Sequence, residues 1–436
     1  MTSSSGSNSL IAGRRCFEEG DYARAKHHLA NCLRTDNDRG EACVLLGSIY
    51  HNEGNFTNSV KCLESAIFAG QDSPDVRQLL CAGLFESKRY NEARLKLELV
   101  IEQHPEHWQS RLLLGKLFIE TGNLNAAESV LRKSVQIHER EPELWYHLGL
   151  ALFRLQRHDE AVSVLERAVK LEPDTVPQYH FLLGKTQLEQ GFAEKAINSF
   201  KRSAAIYPLA ELYFPLGSAC QLAQRYDTAF HVYEKALDRP INKAIRHRIL
   251  FHQAEILFEQ GEEEDRLGRS HHRYLQAKQK LLRSLEFDPG FNSARHFLAL
   301  VNIRMKAPEI SAQELETLLS QHESDLQTFK DSNGALEILS HRYLQRIHLG
   351  YALSLAGRYD EARNALEAAL DDPEIQNEPV VKCRILRRLA LVQLQMGDKL
   401  ASCSTWRRLS AIDSDDHYGA ARALAELETN DNERDG

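Results

Sequence analysis

The residues best suited to metal or nucleophilic chemistry in this chain are two adjacent histidine pairs, His27-His28 and His271-His272, and eight cysteines. Neighbouring positions point to different faces of a helix, so neither pair offers two ligands at i, i+4 to one metal. Cys16, Cys32, Cys43, Cys62, Cys81, Cys220, Cys383 and Cys403 show no CxxC spacing. Four of them, Cys16, Cys32, Cys81 and Cys220, fall where the rest of the chain puts small or apolar residues, which reads as core thiols in a reducing compartment. Gly115-Lys116 and Gly184-Lys185 lack the upstream glycine and the following hydroxyl of a phosphate-binding loop, and HExxH and GxSxG are absent. The sequence therefore predicts no catalytic residue, no metal and no cofactor.

What does recur is a contact surface. Tyr146, Phe181, Phe214 and Phe251 each stand three positions before a small residue, at Gly149, Gly184, Gly217 and Ala254. Four positions after a small residue come Phe153, Leu188 and Phe258, with Phe85 and Ile119 in the matching earlier places. At helical spacing these form an apolar ladder. Lys116 and Lys185 follow the small glycine, as does Arg14, and Arg154 follows Phe153; Glu18, Glu86, Glu120 and Glu189 alternate with them one turn on. Rings interleaved with both charge signs suit an extended or helical peptide, with apolar pockets supplying affinity and charges setting direction. The same ring positions are equally suited to packing between neighbouring helices.

Helices stacked in register are needed to keep such residues on one face. Gly20, Gly54, Lys88, Gly122 and Gln156 recur every 34 residues, a period that marks stacked units able to bury their apolar faces only against each other. Within a period, Leu144, Leu148, Leu152 and then Val162, Leu165, Val169 flank a polar break at Arg157 to Asp159, so each unit reads as two antiparallel helices. Gly13, Gly47, Gly115, Gly149, Gly184, Gly217 and Gly350 on first helices are expected to face Ala25, Ala93, Ala127, Ala161, Ala196, Ala229 and Ala362 on second helices, where the axes must approach closely. Pro105, Pro173, Pro208 and Pro289 stop second helices.

In order and spacing, Trp145, Leu148, Gly149, Ala161, Leu165, Ala168 and Pro173 resemble the tetratricopeptide repeat signature, and Gly350, Leu353, Gly357, Tyr359, Ala362, Leu366 and Ala369 match most of it again. The resemblance implies an all-α, right-handed superhelical solenoid of about ten to eleven repeats with a C-terminal capping helix. It also implies a concave groove lined by the first helices, hence a non-enzymatic scaffold that holds a partner segment there, for complex assembly or regulation. The predicted contacts are Phe85, Lys116, Ile119, Tyr146, Phe153, Arg154, Phe181, Lys185, Phe214, Phe251 and Phe258. Members that capture a C-terminal carboxylate use a Lys and two Asn on successive first helices; Leu10 and Arg14 occupy the first of those places, so that clamp is absent. Two other readings are a recognition subunit of a multi-subunit enzyme and a helical-repeat reader of single-stranded RNA. A homo-oligomer is compatible with the same groove.

The array is expected over 9–306, with a charged insertion at 262–273, an irregular repeat or hinge at 307–337, repeats and a capping helix over 338–428, and disordered tails at 1–8 and 429–436. The step from Ala299 to Gly350 is one period plus 17 residues. A net charge of −8 gives no basic stripe for phosphates, which disfavours nucleic acid. With no long apolar run and a Ser-rich start, the chain is expected to be soluble and cytoplasmic, with no membrane contact.

Overall fold

The computed structural model describes residues 3–33, 39–265, 271–328, 333–373, 375 and 378–432, with side chains left out at 3–8, 210, 322–341 and 428–432. Two compact units divide the chain, Met1–Gln224 and Arg225–Gly436. The first holds α1 (Ser3–Glu18), α2 (Tyr22–Cys32), α3 (Arg39–Asn52), α4 (Phe56–Phe68), α5 (Pro74–Glu86), α6 (Tyr90–Gln103) and α7 (Trp108–Glu120). It continues through α8 (Leu124–Ile137), α9 (Pro142–Arg154), α10 (His158–Leu171), α11 (Pro177–Glu189), α12 (Ala193–Ile206) and α13 (Ala210–Leu222). The second holds α14 (Tyr226–Leu237), α15 (Lys243–Asp265), α16 (His271–Phe287), α17 (Asn292–Arg304), α18 (Pro308–Thr328) and α19 (Asn333–Leu355). After these come α20 (Tyr359–Leu370), α21 (Pro379–Gln395), α22 (Lys399–Ser410) and α23 (Ala420–Asn432). Among the described residues every element is a helix.

The 34-residue punctuation is a backbone event. Gly20, Gly54, Lys88, Gly122 and Gln156 all adopt left-handed φ, between 60° and 77°, at the end of a first helix. At Gln156 the turn closes through Gln156 N–H to the Phe153 carbonyl (3.0 Å) and Arg157 N–H to the Leu152 carbonyl (3.0 Å), which satisfies carbonyls the helix end would leave open. Second helices stop two residues before the prolines: α6 at Gln103, α10 at Leu171, α12 at Ile206 and α16 at Phe287.

Within a hairpin, the atoms nearest the first-helix glycine's missing Cβ do not belong to the second-helix alanine's side chain. The glycine's missing side chain is filled by the large residue 16 positions on: a Cβ at Gly47 would lie 2.6 Å from Leu63, at Gly115 2.6 Å from Leu131, at Gly149 2.5 Å from Leu165 and at Gly350 2.6 Å from Leu366. The residue 12 positions on lies under the glycine's backbone instead, as Ser59 Oγ donating to the Gly47 carbonyl at 2.8 Å shows. Alanine is needed there because the main chain itself is the neighbour. Cys81 holds the glycine's place in α5 and is fully buried, as is Leu97, 16 positions on.

The two sequence irregularities become long helices. α15 and α16 carry 23 and 17 residues where most others have 13 or 14, so the charged insertion is helical at 262–265 and 271–273; 266–270 lie outside the described residues. Glu262 accepts from the Tyr274 hydroxyl (2.7 Å) and from Arg304 Nε and Nη2 of α17 (2.5 and 2.8 Å), tying the extension to the next hairpin. The 307–337 segment falls inside the second unit, where α18 and α19 have 21 and 23 residues; 329–332 lie outside the described residues. α1 begins at Ser3, inside the expected disordered tail, and α23 runs to Asn432. Extending an existing helix costs far less than nucleating one. In α23, Leu427 is buried while Arg422 and Glu426 are exposed, the polar-backed cap that the end of a repeat row requires.

Candidate partner-binding face

The predicted ring ladder is half-buried rather than free-standing, its rings packed partly within their own hairpins and partly against the next. Tyr146 of α9 lies 5.1 Å from Tyr179 of α11, and Phe153 stands edge-on to His158 at 5.6 Å. Phe181 meets Phe200 of its own hairpin at 5.8 Å, and Phe85 meets Tyr90 at 5.6 Å. Phe214 is half-buried on α13. In the second unit Phe251 packs on Phe291 (5.1 Å) and Phe297 (5.7 Å), and Phe258 on Phe297 (5.1 Å) and Tyr274 (5.6 Å). Each of these rings is thus partly packed and partly exposed. Ile119 is the exception: only 2% exposed, it belongs to the core of the first unit, so its place among the contact residues is corrected. On α7 the core-facing arc runs unbroken from Leu117 through Ile119, which leaves Ile119 no outward face.

The cations of the ladder are already engaged. Lys116 donates to Glu143 at 2.6 Å, and Arg14 pairs with Glu41, each spanning from the residue after the glycine to the next first helix. Arg154 donates to the Ile119 carbonyl at 3.0 Å and lies 4.0 Å from Glu120. Lys185 sits 5.4 Å over the Phe153 ring. Half-exposed ties of this kind contribute about 0–1 kcal/mol each, so they fix the seam's register more than its stability.

A cavity of about 480 Å³ is lined by Trp108, Glu141, Glu143, Tyr146, His147, Glu172 and Tyr179, from α7, α9 and α11 and the turns beside them. Burial, and then the neighbouring Lys116, push the His147 imidazole down to about 3, so the ring is neutral at physiological pH. Burial together with Glu172 and Glu143 pushes the Tyr179 phenol up to about 12. The cavity thus combines aromatic walls with three carboxylates, Glu141, Glu143 and Glu172, of which Glu143 already accepts from Lys116; rings and carboxylates are the groups that attract a cationic side chain. Among the described residues no group of three His, Cys, Asp or Glu side chains is placed to hold a metal.

A second cavity, of about 570 Å³, lies between α19 and α21 and is lined by Arg384, Arg387 and Arg388. These arginines were not among the predicted contacts. Their spacing, i, i+3 and i+4 on one helix, was the signal available in the sequence.

Family models described as tetratricopeptide repeat match residues 17–81 and 146–211. These spans contain the left-handed turns at Gly20, Gly54 and Gln156 and the Gly149–Leu165 contact. The chain is a tetratricopeptide repeat protein. A further family model, anaphase-promoting complex, cyclosome, subunit 3, matches residues 86–168. BBSome complex member BBS4 of Bos taurus is 24% identical over 275 residues, 62% of this chain and 51% of that protein. Protein O-mannosyl-transferase TMTC1 of Homo sapiens is 22% identical over 213 residues, 48% of this chain and 24% of that protein. The tetratricopeptide repeat chain thus spans about half the length of the first relative and about a quarter of the second. Among solved structures, the APC/C hetero-tetramer Cut9-Hcn1 is 12% identical, covering 97% of this chain and 96% of that one at a TM-score of 0.44. Among the described residues no helix is long and apolar enough to cross a membrane.

Proposed function

We propose that this tetratricopeptide repeat protein is a non-enzymatic cytoplasmic scaffold that grips an extended or helical segment of a protein partner along its first-helix face. The observation that carries this reading is the α9/α11 cavity, in which half-exposed aromatic edges stand beside Glu143 and Glu172. A basic residue of the partner enters there, and the outer edges of Phe85, Phe153, Phe181, Phe214, Phe251 and Phe258 supply apolar contact. Lys116, Arg154 and Lys185 orient the segment through their remaining exposed faces. The uses that fit are assembly or regulation of a complex.

Tagged chain and the variant Glu143→Gln plus Glu172→Gln, captured side by side from the native cell and quantified by mass spectrometry, test the reading. The proteins held by the wild type should be lost from the variant while circular dichroism stays unchanged. Equal capture by both refutes the site. A second reading, the recognition arm of a multi-subunit enzyme, is favoured by the anaphase-promoting-complex family model, whose match at 86–168 contains Lys116, Tyr146 and Phe153. Turnover by the purified chain alone would contradict both.

A further inference from the structure

α19 and α21 are successive first helices of the second unit, and between them lies a cavity of about 570 Å³ walled by Ile347, His348 and Tyr351 on one side and Arg384, Arg387, Arg388 and Leu391 on the other. The three arginines occupy i, i+3 and i+4, so they project from one face of α21 along about 6 Å of helix axis. Arg384 and Arg387 are exposed and Arg388 is half-buried. The Arg388 guanidinium is held 3.4 Å from the centre of the Tyr351 ring, which fixes its plane before any ligand arrives.

Several other arginines of the unit have carboxylate partners. Arg304 is paired with Glu262, Arg342 and Arg346 with Asp372, and Arg358 with Glu309, Glu316 and Glu361. Among the described residues no carboxylate lies within ion-pair distance of Arg384, Arg387 or Arg388. Three like charges on adjacent positions of one helix repel, and in a chain of net charge −8 they stand out as an uncompensated positive site. The surroundings register the same field: burial, and then Arg387 and Arg304, lower the Arg388 pKa, while burial followed by Arg388 and Arg304 push His348 down to about 4. His348 is consequently neutral, with its Nδ1 2.8 Å from Nε2 of His296, and adds no charge of its own.

We propose that the α19/α21 groove binds an acidic segment of a protein partner. Carboxylates at alternate positions of an extended peptide lie about 7 Å apart on one side, close to the span from Arg384 to Arg388. Two such carboxylates meet the guanidinium forks in bidentate fashion. The next alternate position reaches Leu391, which is 45% exposed one turn beyond Arg388, so it takes an apolar side chain. The recognised pattern is acidic-x-acidic-x-apolar. The site is in a different unit from the Tyr146 cavity, carries the opposite charge and stands without it. A nucleic acid would need a longer run of cations than three arginines within one helical turn.

The full chain titrated into a fluorescein-labelled twelve-residue peptide with Glu-Ser-Glu-Ser-Leu at its centre, read by anisotropy, tests the proposal. Saturable binding by the wild type should weaken roughly 30-fold or more in Arg384→Glu plus Arg387→Glu. Both residues are exposed, so the melting curve should not move. Arg388→Lys keeps the charge and loses the fork, and should weaken binding roughly tenfold. A peptide with Gln for both Glu should bind no better than the charge-reversed variant does. Absence of saturable binding to the intact chain, or equal binding by the double variant, overturns the proposal. So does displacement of the peptide by inorganic phosphate at matched ionic strength, tighter binding of a single-stranded RNA of equal length, or occupation of the groove by a second copy of the chain.

Discussion

Replacing Gly149 by alanine puts one methyl group into the α9/α10 contact and should destabilise the first unit. The added Cβ would stand 2.5 Å from Leu165 Cδ2, 2.6 Å from its Cγ and 3.4 Å from its Cδ1. Carbon atoms at rest sit about 3.5–4.0 Å apart, so something must give by more than 1 Å. Leu165 is fully buried and cannot swing into solvent. The helices must therefore part, at a cost of about 1–3 kcal/mol for overpacking, against which alanine returns about 1 kcal/mol of helix propensity. A net loss of about 0–2 kcal/mol follows. Gly83 is the matched control: it also lies inside a helix, but a Cβ there meets Val60 at 3.1 Å and Ser59 at 3.7 Å, so Gly83→Ala should keep most of the propensity gain. Comparing urea midpoints of the two variants by circular dichroism removes the propensity contribution common to both. Should Gly149→Ala prove as stable as Gly83→Ala, the glycine–leucine contact does not set the helix separation.

Gln156 and Lys88 hold left-handed φ of 61° and 60°, so Gln156→Gly and Lys88→Gly should each raise stability by about 0.5–1 kcal/mol, the conformational relief less glycine's unfolded-state entropy; Gly122→Ala, at φ 77° with open space around it, should lower it by a similar amount, all read from thermal melts. For His147 and His348 the folded pKa values, about 3 and about 4, lie below the ordinary 6.5, so the unfolded chain takes up protons first and stability falls as pH drops below about 6.5. His147→Gln should flatten part of that decline in urea midpoints measured between pH 7 and pH 4.5; an unchanged slope would mean the ring is not held neutral.

Much of the architecture was readable because its punctuation is written in backbone chemistry. A left-handed turn selects glycine at three of the five periodic positions, Gly20, Gly54 and Gly122, and Pro105, Pro173, Pro208 and Pro289 each follow the end of a second helix. The close approach was legible in the small residues 12 apart, but not the filling of the glycine's space by the bulky residue 16 on. Ring positions were also legible, yet whether a ring fills a seam or faces outward depends on a few degrees of helix rotation. Ile119 shows the difficulty, since its spacing matches Phe85 and Phe153 while its side chain turns inward. Lys116 and Glu143 could have been paired in advance, because Arg14 and Glu41 repeat the same 27-residue offset. The arginines of α21 escape the repeat pattern because that helix, 17 residues long, falls outside the strict 34-residue period.

A row of identical steps has a weakness as a ruler: an object laid along it fits nearly as well when shifted by one division. Cys81 breaks that sameness. Where its neighbours at Gly47, Gly115 and Gly149 have no side chain, α5 carries a thiol buried beside the equally buried Leu97, so this step is filled differently from theirs. With Phe200 in place of leucine opposite Gly184, the repeats of the first unit are therefore not interchangeable, and each odd filling is a landmark along the row.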